Sequence, residues 1–103
     1  MNYRIKFLKV KIKSLAAEQG IIRLEQRRAK ARGQTELLNE LHSHRLHIVR
    51  PEARAALMAY GLLRGQTPDQ IEPRAKTKPD QKRVNALIQK YGTKDDRVRL
   101  LAA

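Results

Sequence analysis

The chain has no cysteine and no tryptophan, with one phenylalanine and three tyrosines in 103 residues. Without cysteine, disulfide frameworks, thiolate zinc sites and thiol catalysis are excluded together. The shortage of aromatics makes any core aliphatic and supplies no stacking platform for single-stranded bases, which points toward duplex as the target while leaving RNA open. No window approaches the ~20 uninterrupted apolar residues of a membrane span. The N-terminus also lacks the apolar run and small-residue cleavage site of a secretory signal. Acids are scarce as well: 10 Asp plus Glu stand against 23 Lys plus Arg, a formal net charge of +13. These absences lead to the expectation of one cytoplasmic domain, residues 1–103, made to meet a polyanion.

The excess charge is uneven. Residues 1–33 carry ten Lys/Arg and two acids, residues 34–65 four and three, and residues 66–103 nine and five. The near-neutral middle is the expected core-former, with the field held by the two ends. Leu, Ile and Val recur at helical spacing, which argues against a disordered basic tail.

In the first third, Ile5, Leu8, Ile12, Leu15, Ile22 and Ala29 alternate in threes and fours, with Gln19 and Gln26 filling the gaps. This is the seam of a helix lying against another helix. A strand competes at the start, where Tyr3, Ile5 and Phe7 alternate with Arg4 and Lys6. Leu8 breaks that phase, and the Ala, Glu, Gln, Leu and Arg content of residues 14–32 sets one long helix over about 4–32, stopped at Gly33. Thr35 is the expected cap of a second helix that buries Leu37, Leu38, Leu41 and Ile48 and is limited by Pro51. Pro51 then opens a third helix, with Glu52 at its positive end, that buries Ala56, Leu57, Tyr60 and Leu63 and stops at Gly65. Thr67, Pro68 and Gln70 form a capping box over a short helix ended by Pro73. The basic segment Pro73–Pro79 leads to a helix over about 79–91 with Val84, Leu87, Ile88 and Tyr91 on one side. Thr93 and Asp96 start a last turn. The predicted fold is a small all-α domain: a basic helix (1–33), an apolar core (34–65), a third segment (66–92) and a C-terminal turn (93–103).

Residues 54–91 resemble the helix-turn-helix of small DNA-binding proteins. An apolar helix ends in Leu63-Arg64-Gly65, a Thr-capped short helix holds Ile71, and a final helix is anchored by Val84, Leu87 and Ile88. The resemblance implies that the short helix braces the final one, whose polar face then enters the major groove. On that face Gln81, Lys82, Asn85 and Gln89 are the candidate readers, since Gln and Asn pair bidentately with adenine. Arg83 joins them as a candidate nucleic-acid contact. The connection between Ile71 and Val84 is longer than the motif uses, holds two prolines and has no glycine. The whole chain is also similar to small basic accessory proteins of phages and mobile elements. That likeness implies either direct nucleic-acid binding or inhibition of a host nucleic-acid machine, such as a CRISPR effector or a polymerase.

Two basic groups are candidate phosphate contacts: Lys6, Lys9, Lys13, Arg27 and Arg28 on the first helix, and Arg74, Lys76 and Lys78 in the proline-bounded loop. His42, His44 and His47 carry no metal expectation: only His44 and His47 share a face, without Cys or a well-placed acid. No phosphate loop or nucleophile elbow is present, and Asp95 and Asp96 diverge on a helix, so no cofactor and no enzymatic activity are expected. The basic first helix lacks Trp, and its Gln19 and Gln26 suit a helix partner better than a membrane surface. The partners expected are nucleic acid, or alternatively a host protein or ribonucleoprotein, with a homodimer open through the first helix.

Overall fold

Apolar side chains spaced in threes and fours fall on one face of a helix, and α1 (Arg4–Ala31) puts Leu8, Ile22 and Ala29 wholly inside, with Ile5, Ile12 and Leu15 half-buried beside them. The competing strand at its start is absent. A computed structural model describes residues 3–101 of the chain, and the described residues form an all-α fold without strands. α1 ends where Gly33 takes φ 68°, so that Gln34 N donates to Ala29 O (2.9 Å) and Gly33 N to Lys30 O (3.2 Å). These two bonds satisfy carbonyls that the helix end would otherwise leave open.

α2 (Thr35–His44) runs without interruption through a π-helical turn, Arg45–Val49, into α3 (Arg50–Leu63). This corrects two expectations. Thr35 is the first helical residue rather than the cap, and the capping position, Gln34, makes no side-chain cap bond. Pro51 does not break the helix, because Arg50 stays helical at φ −63°, ψ −46°. A proline removes one amide donor and crowds the carbonyl four residues back. The widened turn, closed by Arg50 N donating to Arg45 O, gives that carbonyl room. The turn also shifts the register: Val49 is buried at 2% exposure while Ile48, expected inside, is 51% exposed. Leu37 is exposed as well, leaving Leu38 and Leu41 half-buried on α2.

α3 is the centre of the core. It packs against α1 on one side and α5 (Gln81–Tyr91) on the other, which spreads its buried arc over Ala55, Ala56, Met58, Ala59 and Leu63. Leu57 lies outside that arc and is exposed, contrary to expectation. Three alanines in the arc allow close approach of both neighbours. Gly65, at φ 85°, ends α3 in the same way that Gly33 ends α1.

The capping box forms as expected over α4 (Pro68–Ile71): Thr67 Oγ1 accepts from Gln70 N at 3.3 Å, and Gln70 Oε1 accepts from Thr67 N at 2.9 Å. α4 packs on α3, with Ile71 seated over Gly61. Asp80, rather than Pro79, opens α5 by accepting from Lys82 N and Arg83 N. Thr93 and Asp96 cap α6 (Lys94–Leu101) reciprocally, Thr93 N donating to Asp96 Oδ2 at 2.9 Å and Asp96 N to Thr93 Oγ1 at 3.1 Å. α5 is braced by α3, α1 and α6.

Candidate nucleic-acid interface

Half of the ten acids are engaged by lysines or arginines of the chain itself, and this decides which bases remain available. Glu52 sits between α1 and α5: Lys11 Nζ lies 3.2 Å from Oε1, and Arg83 Nη1 donates to Oε2 at 2.9 Å. Arg83 also lies 3.4 Å from Asp80. Burial pushes the Glu52 carboxyl up, but hydrogen bonds from Arg83 and Lys11, with their charges, outweigh it and hold its pKa below the ordinary value. Asp96 follows the same balance. Burial raises it, and bonds from the Thr93 backbone and hydroxyl and from Arg99 bring it below the usual aspartate range. Glu25 holds Arg28 at 2.9 Å. Arg83 and Arg28 are therefore placed in intramolecular ion pairs.

The remaining basic candidates are exposed. Lys6, Lys9, Lys13, Arg27, Arg74, Lys76, Lys78 and Lys82 make no ion pair among the described residues. Lys6, Lys9 and Lys13 occupy two turns of α1. Arg27 lies fourteen residues beyond Lys13, about 21 Å along the axis at 1.5 Å per residue, so it belongs to the same helix but not to the same cluster.

The proline-bounded segment is held in place by Arg54 of α3. Its Nε and Nη2 donate to the two Glu72 carboxylate oxygens at 3.0 Å each, Nη1 donates to Thr77 Oγ1 at 2.9 Å, and Nη2 reaches the Thr77 carbonyl. The Glu72 hydrogen bonds raise the Arg54 pKa further, so the guanidinium stays charged. Between this loop and the π turn lies an open groove. Leu46, Pro51 and Pro73 are among its apolar lining, and Arg50, Arg74 and Lys76 add exposed positive charge. Arg50 and Arg54 escaped the sequence reading because each stands alone in an apolar helix. The available signal was their four-residue spacing, which puts both on one face of α3.

On α5, Gln81, Lys82, Asn85 and Gln89 are all exposed, and Gln81 Nε2 donates to Asn85 Oδ1 at 2.7 Å. His42, His44 and His47 are exposed, and His44 Nε2 lies 3.5 Å from Glu18. Among the described residues no group of three His, Asp or Glu is arranged to hold a metal ion, and no helix is long and apolar enough to cross a membrane. Compared with protein-family models, curated proteins and solved structures, the chain matches none.

Proposed function

We propose that this chain is a non-enzymatic, cytoplasmic nucleic-acid-binding protein. The observation that carries the reading is the division of its charges. Five of the ten acids are in intramolecular ion pairs with lysine or arginine, whereas eight candidate lysines and arginines stand exposed without one among the described residues. A +13 chain that neutralises its own acids internally repels itself along α1 and at the loop, and a polyanion relieves that repulsion. Phosphates would be met by Lys6, Lys9 and Lys13 on α1 and by Arg74, Lys76 and Arg50 at the groove. The helix-turn-helix-like segment would present Gln81 and Asn85 to bases. In this reading α3, not the short α4, supplies most of the bracing for α5, because α4 packs on α3.

Fluorescence anisotropy against duplex DNA, single-stranded DNA and structured RNA, across a salt series, tests the proposal. Tight binding with a steep salt slope and a preference for one polymer supports it. Weak binding that is equal for all three and gone at physiological salt overturns it, and leaves a host protein or ribonucleoprotein as the target.

A further inference from the structure

α1 carries a second apolar seam, on the side away from α3. Tyr3, just ahead of the helix, and Phe7, Val10, Ile21 and Leu24 within it are between 45% and 65% exposed. With Ser14, Ala17 and Arg28 they complete the series 3, 7, 10, 14, 17, 21, 24, 28, which alternates in fours and threes without a break. That is a heptad seam, and it lies unpaired in the described chain. The area agrees. The chain exposes 7659 Å², whereas a monomer of 11.9 kDa exposes about 6,000 Å². Its radius of gyration is 16.1 Å, against about 13 Å for a domain of this length.

We propose that this seam joins two copies of the chain as an antiparallel homodimer through α1. The sequence of the seam is self-complementary in one register. With Ser14 opposite the partner's Ala17, Val10 meets the partner's Ile21, Phe7 meets Leu24, and Tyr3 meets Arg28. Small residues at the centre let the axes approach, apolar pairs flank them, and the outer layer is a cation over an aromatic ring. On one flank Lys11, already 3.2 Å from Glu52 within its own chain, also comes beside the partner's Glu18. A parallel, in-register pair would instead stack Arg28 on Arg28 within the seam itself, which is repulsive. On the other flank of the antiparallel pair, Lys6 and the partner's Arg27 share one side, a like-charge contact that salt screens and a polyanion would bridge. This gathers the candidate phosphate contacts of two chains into a single basic edge. That last consequence rests on the proposed nucleic-acid binding, but the dimer itself does not.

Analytical ultracentrifugation of the full chain, freed of nucleic acid by nuclease, tests the dimer at about 1–100 µM and about 0.3 M salt. The expected mass is twice 11.9 kDa. Ile21→Glu should weaken association at least ~100-fold by burying a charge in the seam. Its circular dichroism should be unchanged, because the side chain is exposed within the monomer. A monomer throughout the range overturns the proposal. So does an Ile21→Glu chain that dimerises as well as the parent, or a monomer that moves onto anionic vesicles through α1. The cysteine-free sequence allows the register to be read separately. An equimolar mixture of Phe7→Cys and Leu24→Cys chains should oxidise mainly to the mixed disulfide. Predominant Phe7→Cys homodisulfides would overturn the antiparallel arrangement. Since none of these measurements contains nucleic acid, their failure is distinct from failure of the binding proposal.

Discussion

Arg54 and Glu72 face each other with two parallel hydrogen bonds of 3.0 Å, eighteen residues apart in the chain. The guanidinium then continues to Thr77, so one side chain fastens the whole proline-bounded loop to α3. A lysine keeps the charge but lacks the planar fork that engages both carboxylate oxygens. Arg54→Lys should therefore lower stability by about 1–2 kcal/mol, toward the upper end for a partly exposed pair because its geometry is bidentate. Amide exchange across residues 73–79 should speed up while that of α5 does not. Unchanged exchange in the loop would show that the prolines hold it unaided.

Glu52 links α1 to α5 through Lys11 and Arg83, and its folded pKa is below the ordinary value of 4.5. A carboxyl whose pKa falls on folding binds fewer protons in the native state than in the unfolded one. It therefore contributes stability above its unfolded value and loses that contribution as pH drops through the folded one. Asp96, also depressed, adds in the same direction. Urea unfolding should give a stability that is level from about pH 6 upward and declines below about pH 4.5. Glu52→Gln should be less stable at neutral pH and show a shallower decline. Parallel profiles for the two chains would remove Glu52 from this account.

Two glycines in helices call for opposite outcomes on the same substitution. A Cβ at Gly20 meets nothing within 4 Å, so Gly20→Ala should gain about 1 kcal/mol, the helix-propensity difference alone. At Gly61 a Cβ would meet Ile71 Cδ1, lie 2.5 Å from Ile71 Cγ1 and lie 3.0 Å from Gln66 Oε1. Gly61→Ala gains the same propensity but must displace Ile71, and with it α4. A net loss of about 1–3 kcal/mol is expected, as for overpacking elsewhere. Thermal unfolding of the two variants side by side decides the matter.

What the sequence makes legible here is mostly local chemistry. The capping box at Thr67, the stops at Gly33 and Gly65 and the buried seam of α1 are set by residues within a few positions of one another, and all of them form. The continuous path from α2 into α3 was not legible. Pro51 reads as a break under local rules, and the π turn that accommodates it also brings Val49 into the core while Ile48 turns out to solvent. Which side of that helix is inside depends on α1 lying across it, a contact between distant parts of the chain. The site divides in the same way. Exposed Lys6, Lys9, Lys13, Arg74 and Lys76 follow from charge density, but the engagement of Arg83 with Glu52 spans thirty-one residues and that of Arg54 with Glu72 spans eighteen.

If the proposed interface is correct, its two groups of residues should fail in different ways. Lys6, Lys9 and Lys13 are exposed charges, and each lost phosphate contact lowers the salt slope by about 0.9 on duplex DNA. Replacing all three by Ala should flatten the slope by up to about 2.7 and weaken every sequence alike. Gln81 and Asn85 carry no charge and are already bonded to each other at 2.7 Å, so a base edge must compete with that bond. Asn85→Ala should leave the salt slope untouched and shift preference among sequences by about 1–3 kcal/mol where adenine is read. Anisotropy titrations on a small panel of duplexes separate the two effects. A triple variant with an unchanged slope would remove α1 from the interface. An Asn85→Ala chain with unchanged preferences would leave α5 as a solvated helix face and the binding, if present, blind to sequence.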